Sequence, residues 1–542
     1  MVLLPAALAG DLRDRPRTIR LTSMCGFRVT YATLTADDEQ LQNAYTEASA
    51  DVAASLGAEH PLIIDGQRLT RPTFATVSPV DTSLTVGRFA IAEADDVDRA
   101  VTASRTAQPA WAATPWQERC DILERAADLI SERAIRDGAA LSWENGKNRL
   151  EAIGEVEETA DLIRYASHSM RRHDGFAQPM ERFHELEVTS DHLRPYGVWA
   201  VIGPFNYPNA LTGGPAGAAL LAGNAVIIKP SEIGSLSAHL VVDALLDAGV
   251  PTGVIHLLTG GGDIGSALVH HPGVDGLTFT GSAEVGMSIL QSFSARHPKP
   301  AICEMGGKNP VIVTAQADLD LAVEGTARSA FGFAGQKCSA ASRVYVDRAV
   351  AEEFTRRLVE RAEAIPNTGP LEPGGFLSPV VDHRALERYE AAIADARLTG
   401  EVLTGGRRLS GGPLAAGNFV APTVVTVPDD STIWTTELFC PIIAVRAVDG
   451  LDEAITLSNA LPYGLTAGLF SEDEDEIERF HSRIEAGVIY VNRPAGATTG
   501  AWPGVQPFGG WKRSGTNGNL AGGPNYLQQY MREQSRTRVM RG

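Results

Sequence analysis

Cysteine is scarce and scattered. The 542-residue chain holds five, Cys25, Cys120, Cys303, Cys338 and Cys440. Their count is odd and no CxxC pair occurs, so no disulfide framework or thiolate metal cluster is expected, and a reducing, cytoplasmic setting is. The 12 histidines form no HExxH or His/Cys grouping. His270-His271 stands alone, and no metal site is expected. Long apolar runs are missing as well; nothing reaches the roughly 18 residues of a membrane span. The short apolar start Met1–Gly10 has no basic segment before it, since Arg13, Arg15, Arg17 and Arg20 follow it, which argues against a secretory signal. Residues 1–23 read as a disordered tail, with Met24 as an alternative start. Positive charge is short too. The formal net charge is −19, which argues against a nucleic-acid partner recognised through a basic field. An anionic small molecule would need a local pocket.

What is present is ordinary globular composition, 44% hydrophobic and 21% charged, in a chain long enough for two or three domains. Strand and helix patterns alternate, which implies α/β layers around parallel sheets. Residues 95–136 read as helical, with Asp95 and Asp96 as caps and Ile122, Ala126, Leu129 and Ile130 as an apolar stripe that carries Cys120 into the core. Further on come a strand at 198–202, a helix at 216–222, a strand at 225–228, a helix at 238–246 and a strand at 254–258. Ser471–Glu476 is an acidic run that opens a helix, where carboxylates complement the dipole.

The chemistry concentrates in a few turns. Phe331-Gly-Phe-Ala-Gly-Gln-Lys337-Cys338-Ser339-Ala340 sets one thiol on a small glycine-containing loop between a helix and a strand. Lys337 beside it is a cation of the kind that favours the thiolate, which is the nucleophile; an inert buried cysteine is the alternative. Glu304, between an apolar segment and Gly306-Gly307, offers a general base; a solvated surface glutamate is the alternative. Asn206, in the proline-bounded turn Gly203-Pro204-Phe205-Asn206-Tyr207-Pro208, can aim its amide at an oxyanion; an ordinary Asx turn is the alternative. Three strand ends suit a dinucleotide: Gly260-Gly-Gly262-Asp-Ile-Gly265, Phe279-Thr280-Gly281-Ser282-Ala-Glu-Val285 and Lys229-Pro-Ser231-Glu232. Glu232 can accept from a ribose 2′-hydroxyl.

These motifs, with Glu437-Leu-Phe439 and Pro507-Phe508-Gly-Gly, stand in the order and near the spacing of one family. From about Pro61 onward the chain resembles the aldehyde dehydrogenase superfamily. Two segments, Gly335–Arg343 and Thr499–Asn517, are most similar to its 1-pyrroline-5-carboxylate (L-glutamate γ-semialdehyde) dehydrogenase branch. The resemblance implies an α/β fold with a Rossmann-type NAD-binding domain (24–180 and 195–302), an α/β catalytic domain (303–519) and a β-hairpin oligomerisation element (181–194 and 520–542). It implies catalysis by Cys338, Glu304 and Asn206. Cofactor contacts would come from Ile202, Pro204, Lys229, Ser231, Glu232, Gly262, Gly265, Phe279, Thr280, Gly281, Ser282, Val285, Glu437 and Phe439. Ser339, Gly500, Ala501, Tyr207 and Phe508 would hold the substrate. NAD is expected over NADP because Glu232 repels a 2′-phosphate, and a homodimer or larger homo-oligomer is expected.

Three departures touch geometry. Cys440 replaces a usual glycine, Tyr207 a usual phenylalanine, and the anchor segment is about three residues longer, so that Gly496-Ala497 competes with Gly500-Ala501. An aldehyde dehydrogenase for another amino- or carboxy-aldehyde, a CoA-acylating relative (against which Glu304 argues) and a non-catalytic scaffold are the alternatives.

Overall fold

The computed structural model describes residues 38–494, 502–516 and 518–541. The tail at 1–23, Met24, Cys25 and the anchor positions Gly496, Ala497, Thr499, Gly500 and Ala501 lie outside the described residues.

Two seven-stranded sheets organise the chain. The first runs, edge to edge, through strands Ala301–Met305, Gly276–Gly281, Val198–Ile202, Ala225–Lys229, Ile255–Leu257, Leu62–Ile64 and Gln67–Leu69. Its first five strands are parallel and the last two antiparallel. Ala225-Val-Ile-Ile-Lys229 is buried at every position, as a parallel strand covered on both faces must be. The strand Ala301–Met305 belongs to this sheet, so residues 303–305 continue it beyond the 302/303 division. The second sheet runs through Glu401–Thr404, Thr423–Thr426, Ile442–Val448, Ala341–Asp347, Asn309–Val313, Thr466–Phe470 and Val488–Val491, parallel except at its first edge. A three-stranded ribbon projects apart from both: Met531–Val539 pairs antiparallel with Glu187–Pro195 over nine residues, and Ala177–Pro179 flanks the latter.

Helices Ala94–Ala113 and Trp116–Glu132 fill the stretch read as 95–136. The cap of the first is Glu93, not Asp95 or Asp96. Asp96 sits in the first turn, reaches back to the Glu93 N–H at 3.1 Å and pairs with Arg71 at 2.8 Å, a reciprocal capping arrangement. The helix expected at 216–222 spans Ala210–Leu221 and the one at 238–246 spans Ser235–Asp247. Gly213, Gly214 and Pro215 conceal the first start, because they are poor helix formers chosen here for fit. A Cβ on Gly214 would lie 2.6 Å from Leu162 and one on Gly217 2.6 Å from Ile163. Their absence lets this helix lie flat on the long helix Arg149–Arg172. No described helix is long and apolar enough to cross a membrane.

Candidate active site

Strand ends of the first sheet and the loops that lead into Ala341–Asp347 and Ile442–Val448 of the second border one cleft of about 750 Å³. Asn206, Glu304, Cys338, Glu437, Phe439 and Phe508 line it, together with Ile202, Pro204, Lys229, Ser231, Gly262, Gly265, Phe279, Thr280, Gly281, Ser282 and Val285. Every expected cofactor contact except Glu232 thus faces one space. Glu232 is exposed beyond the end of its strand. Tyr207 and Ser339 are not on the cleft wall.

The thiol loop is built under constraint. The helix Leu319–Phe331 delivers the chain to Phe333 and Ala334, two consecutive non-glycine residues with φ of 48° and 52°, and then to Gly335 with φ of 66°. Such left-handed positions cost about 1–3 kcal/mol each and persist only where the surroundings fix them. Gly335 is obligatory, since a Cβ there would lie 2.5 Å from the Cys440 carbonyl oxygen. Gln336, fully buried, holds the turn: its Oε1 accepts from the Val381 N–H at 2.8 Å, and its Nε2 donates to the Pro379 carbonyl at 3.0 Å. Asn309 holds the far side by donating to the Cys338 carbonyl at 2.7 Å and the Ala340 carbonyl at 3.0 Å. Neither residue was found from the sequence. A buried side-chain amide of this kind leaves no mark beyond its neighbours in a motif.

Lys337, which nothing in the sequence aims at the sulfur, has its partner elsewhere. Its Nζ meets Glu151 Oε1 at 2.5 Å, with side-chain exposures of 2% and 15%. The charge is spent on the helix Arg149–Arg172 and does not face the sulfur. Burial, then the carboxylates of Glu437 and Glu304, push the Cys338 thiol up to about 12; N–H groups of Ser339 and Cys338 oppose this. The resting nucleophile is therefore a protonated thiol.

Asn206 is buried, and its Nδ2 donates to the Gln336 carbonyl at 3.1 Å. One amide proton fixes the turn to the thiol loop and the second is left to face the cleft. Tyr207 packs over Lys147, whose Nζ lies 3.3 Å from the ring centroid. Lys147 in turn ion-pairs with Glu155, which accepts from the N–H groups of Asn209 at 2.8 Å and Ala210 at 3.3 Å. Glu304 stands on the strand Ala301–Met305. Burial pushes its carboxyl up to about 8, opposed by the Gly510 N–H, which suits a group that must take a proton near neutral pH. Glu437 accepts from the Gly307 N–H at 2.9 Å, and burial raises it to about 7. Phe439 adopts φ of 55°. Cys440 behind it is buried against the Ala385 carbonyl and faces away from the cleft lining. Phe508 exchanges two backbone hydrogen bonds with Ala521. Ser339 is 7% exposed, and its carbonyl accepts from Thr466.

The cleft suits a dinucleotide. Ser282 caps the helix Ala283–Phe293 by accepting from the Val285 N–H at 3.3 Å, which presents a helix N-terminus to anionic oxygens. Lys229, 7% exposed, and Glu437 both line it. The space beside Gly262 and Gly265 is open. Arg388, missed in the sequence, also reaches the cleft while its Nε donates to the Leu438 carbonyl at 2.6 Å.

Residues 65–535 match the aldehyde dehydrogenase family model. The chain belongs to the aldehyde dehydrogenase family. This aldehyde dehydrogenase is 35% identical over 502 residues to a 1-pyrroline-5-carboxylate dehydrogenase of Anoxybacillus flavithermus, covering 91% of the chain and 95% of that relative. Its fold superimposes on a Thermus 1-pyrroline-5-carboxylate dehydrogenase solved with bound NAD, with a TM-score of 0.89, 34% identity and coverage of 95% and 99%. A γ-glutamyl-γ-aminobutyraldehyde dehydrogenase of Burkholderia cenocepacia is also similar, at a TM-score of 0.85, 31% identity and coverage of 92% and 100%.

Proposed function

We propose that this aldehyde dehydrogenase oxidises L-glutamate γ-semialdehyde to L-glutamate with NAD, a step of proline catabolism. The observation that carries the reading is the convergence of a constrained thiol, a buried carboxyl and an anchored amide on one dinucleotide-sized cleft. The names of relatives matched over nearly their whole length support the substrate.

In this reading the Cys338 thiol gives its proton to solvent, and the sulfur bonds to the aldehyde carbon as the carbonyl electron pair moves onto the oxygen. Asn206 Nδ2 and the Cys338 N–H hold the oxyanion. NAD, when bound, accepts the hydride. The acyl group is then a thioester on Cys338; Glu304 takes a proton from water, the water oxygen bonds to the acyl carbon, and the C–S bond breaks. Lys229 and Glu437 hold the riboses; Glu232 stands exposed off the cleft wall, so its charge opposes a 2′-phosphate only across solvent. Phe508, on the cleft wall, packs the substrate methylenes; Ser339, the residue after the nucleophile and just behind that wall, keeps the carboxylate-anchoring role that the resemblance assigns it, whereas Tyr207 is turned to Lys147.

We keep the division into dinucleotide-binding, catalytic and hairpin units as part of the proposal, with the hairpin joining subunits of a homo-oligomer and the protein cytoplasmic. The long ribbon of Met531–Val539 on Glu187–Pro195 supports such a joint. The test is NADH formation against a panel of aldehydes with the Cys338→Ala protein alongside. Glutamate semialdehyde should give the highest kcat/KM and Cys338→Ala should be inactive. Preference for γ-glutamyl-γ-aminobutyraldehyde would reassign the substrate, and an active Cys338→Ala would remove the mechanism.

A further inference from the structure

A string of hydroxyl groups runs under the strand that carries Glu304. In the first sheet Trp199 pairs with Gly276, Thr278 with Ile302 and Thr280 with Glu304. Paired residues of a parallel sheet share a face, as do residues two apart. Trp199, Thr278 and Glu304 therefore project to one side. Tyr526 and Tyr530 pack on that side, in one apolar cluster with Trp199 and Ile302. Trp199 Nε1 lies 2.9 Å from Thr278 Oγ1, Thr278 Oγ1 3.3 Å from Tyr530 Oη, and Tyr530 Oη 2.6 Å from Tyr526 Oη.

The string has a direction. An indole N–H can only donate. Thr278 accepts it and donates its own O–H to Tyr530, and Tyr530 is best satisfied by donating to Tyr526. That leaves the Tyr526 proton to be given onward. Glu304 supplies the matching vacancy: its Oε2 is buried and has no hydrogen-bond partner among the described residues. The charge of Glu304 reaches both tyrosine hydroxyls, and burial holds both well above the ordinary phenol range, so they remain donors. A buried carboxylate oxygen without a donor is costly.

We propose that Tyr526 is a positioning residue for Glu304: its hydroxyl donates to the Glu304 carboxylate across one bridging water, in a direction set by Trp199, Thr278 and Tyr530. The inference rests on the reading of Glu304 as the base of thioester hydrolysis. No proton leaves Tyr526. The bond favours the ionised carboxylate and fixes which oxygen faces the acyl carbon. The Gly510 N–H also reaches Glu304, and the Glu304 charge is felt by Cys338 and by Cys303 on the opposite face of the strand.

The experiment compares the full-length Tyr526→Phe and Tyr530→Phe proteins with the parent. The protonated carboxyl stretch of Glu304, identified as the infrared band lost in Glu304→Gln, is titrated in each. Loss of a donor to the charged form raises the midpoint. Tyr526→Phe should move it up by roughly half to one pH unit, and Tyr530→Phe by about half as much. In rapid mixing the NADH burst of Tyr526→Phe should stay intact while the steady-state rate falls by roughly 3- to 10-fold at a pH below the midpoint. An unmoved midpoint with an unchanged steady state overturns the proposal. If Tyr526→Phe does not fold, the Tyr530→Phe midpoint decides alone: an upward shift supports the string and no shift overturns it. If Glu304→Gln keeps the parental steady state, the base reading fails instead, while the infrared midpoint still reports whether Tyr526 bonds Glu304.

Discussion

Alkylation of Cys338 in the cofactor-free enzyme should be slow at neutral pH and should climb about ten-fold per pH unit to beyond pH 10. The thiol is held at about 12 by burial and then by Glu437 and Glu304. At pH 8 its ionised fraction is then about 10⁻⁴, against about 0.2 for a free cysteine of pKa ~8.5. A more basic thiolate attacks faster, with a Brønsted slope of about 0.4–0.5, which recovers roughly 25- to 55-fold. The net expectation is a rate roughly 40- to 100-fold below that of a free thiol. Glu437→Gln removes the larger of the two opposing charges. A fall of about one unit in the thiol would raise the ionised fraction ten-fold and lower intrinsic reactivity about three-fold, for a net gain of about three-fold. The assay is iodoacetamide labelling against pH, read on the peptide that contains Cys338, because Cys120, Cys303 and Cys440 are buried thiols of their own. Slow access alone would lower the rate without moving the pH profile. A plateau near pH 8–9 would refute the electrostatic reasoning.

Other expectations follow from the same geometry. Asn206→Ala should lower kcat by about 10²–10³ through loss of an oxyanion donor, measured with saturating aldehyde. Ser339→Ala should raise KM about ten-fold for a carboxylate-bearing aldehyde, about 1.4 kcal/mol, and leave KM for a plain alkyl aldehyde nearly unchanged. Glu151→Gln should destabilise by about 2–4 kcal/mol, less than for a fully enclosed pair because Glu151 is partly open. The rate of irreversible thermal inactivation reads this, and Lys337→Met added to Glu151→Leu should recover part of the loss.

The sequence revealed what local pattern encodes. The helix before Cys338, the buried strands and the turns at Lys229, Gly262 and Ser282 all announce themselves by periodicity and glycine placement. Most of the cleft was legible because its residues sit at strand ends, where a motif spans a few consecutive positions. Contacts between distant segments were not legible. Lys337 lies next to Cys338 in sequence, yet its partner is Glu151, 186 positions away. Tyr526 and Tyr530 carry an ordinary apolar spacing, and nothing in it shows that they complete a string from Trp199. The Glu93 cap was missed because two aspartates follow it, and only the fold shows that Asp96 turns back to its N–H.

The central claim is a cysteine-bound acyl intermediate hydrolysed with Glu304 as base, and rapid mixing of Glu304→Gln with NAD and glutamate semialdehyde tests it most directly. The account predicts a burst of about one NADH per Cys338 followed by a steady state lower by about 10²–10⁴-fold. A linear trace at the parental rate, or no burst at all, would contradict it.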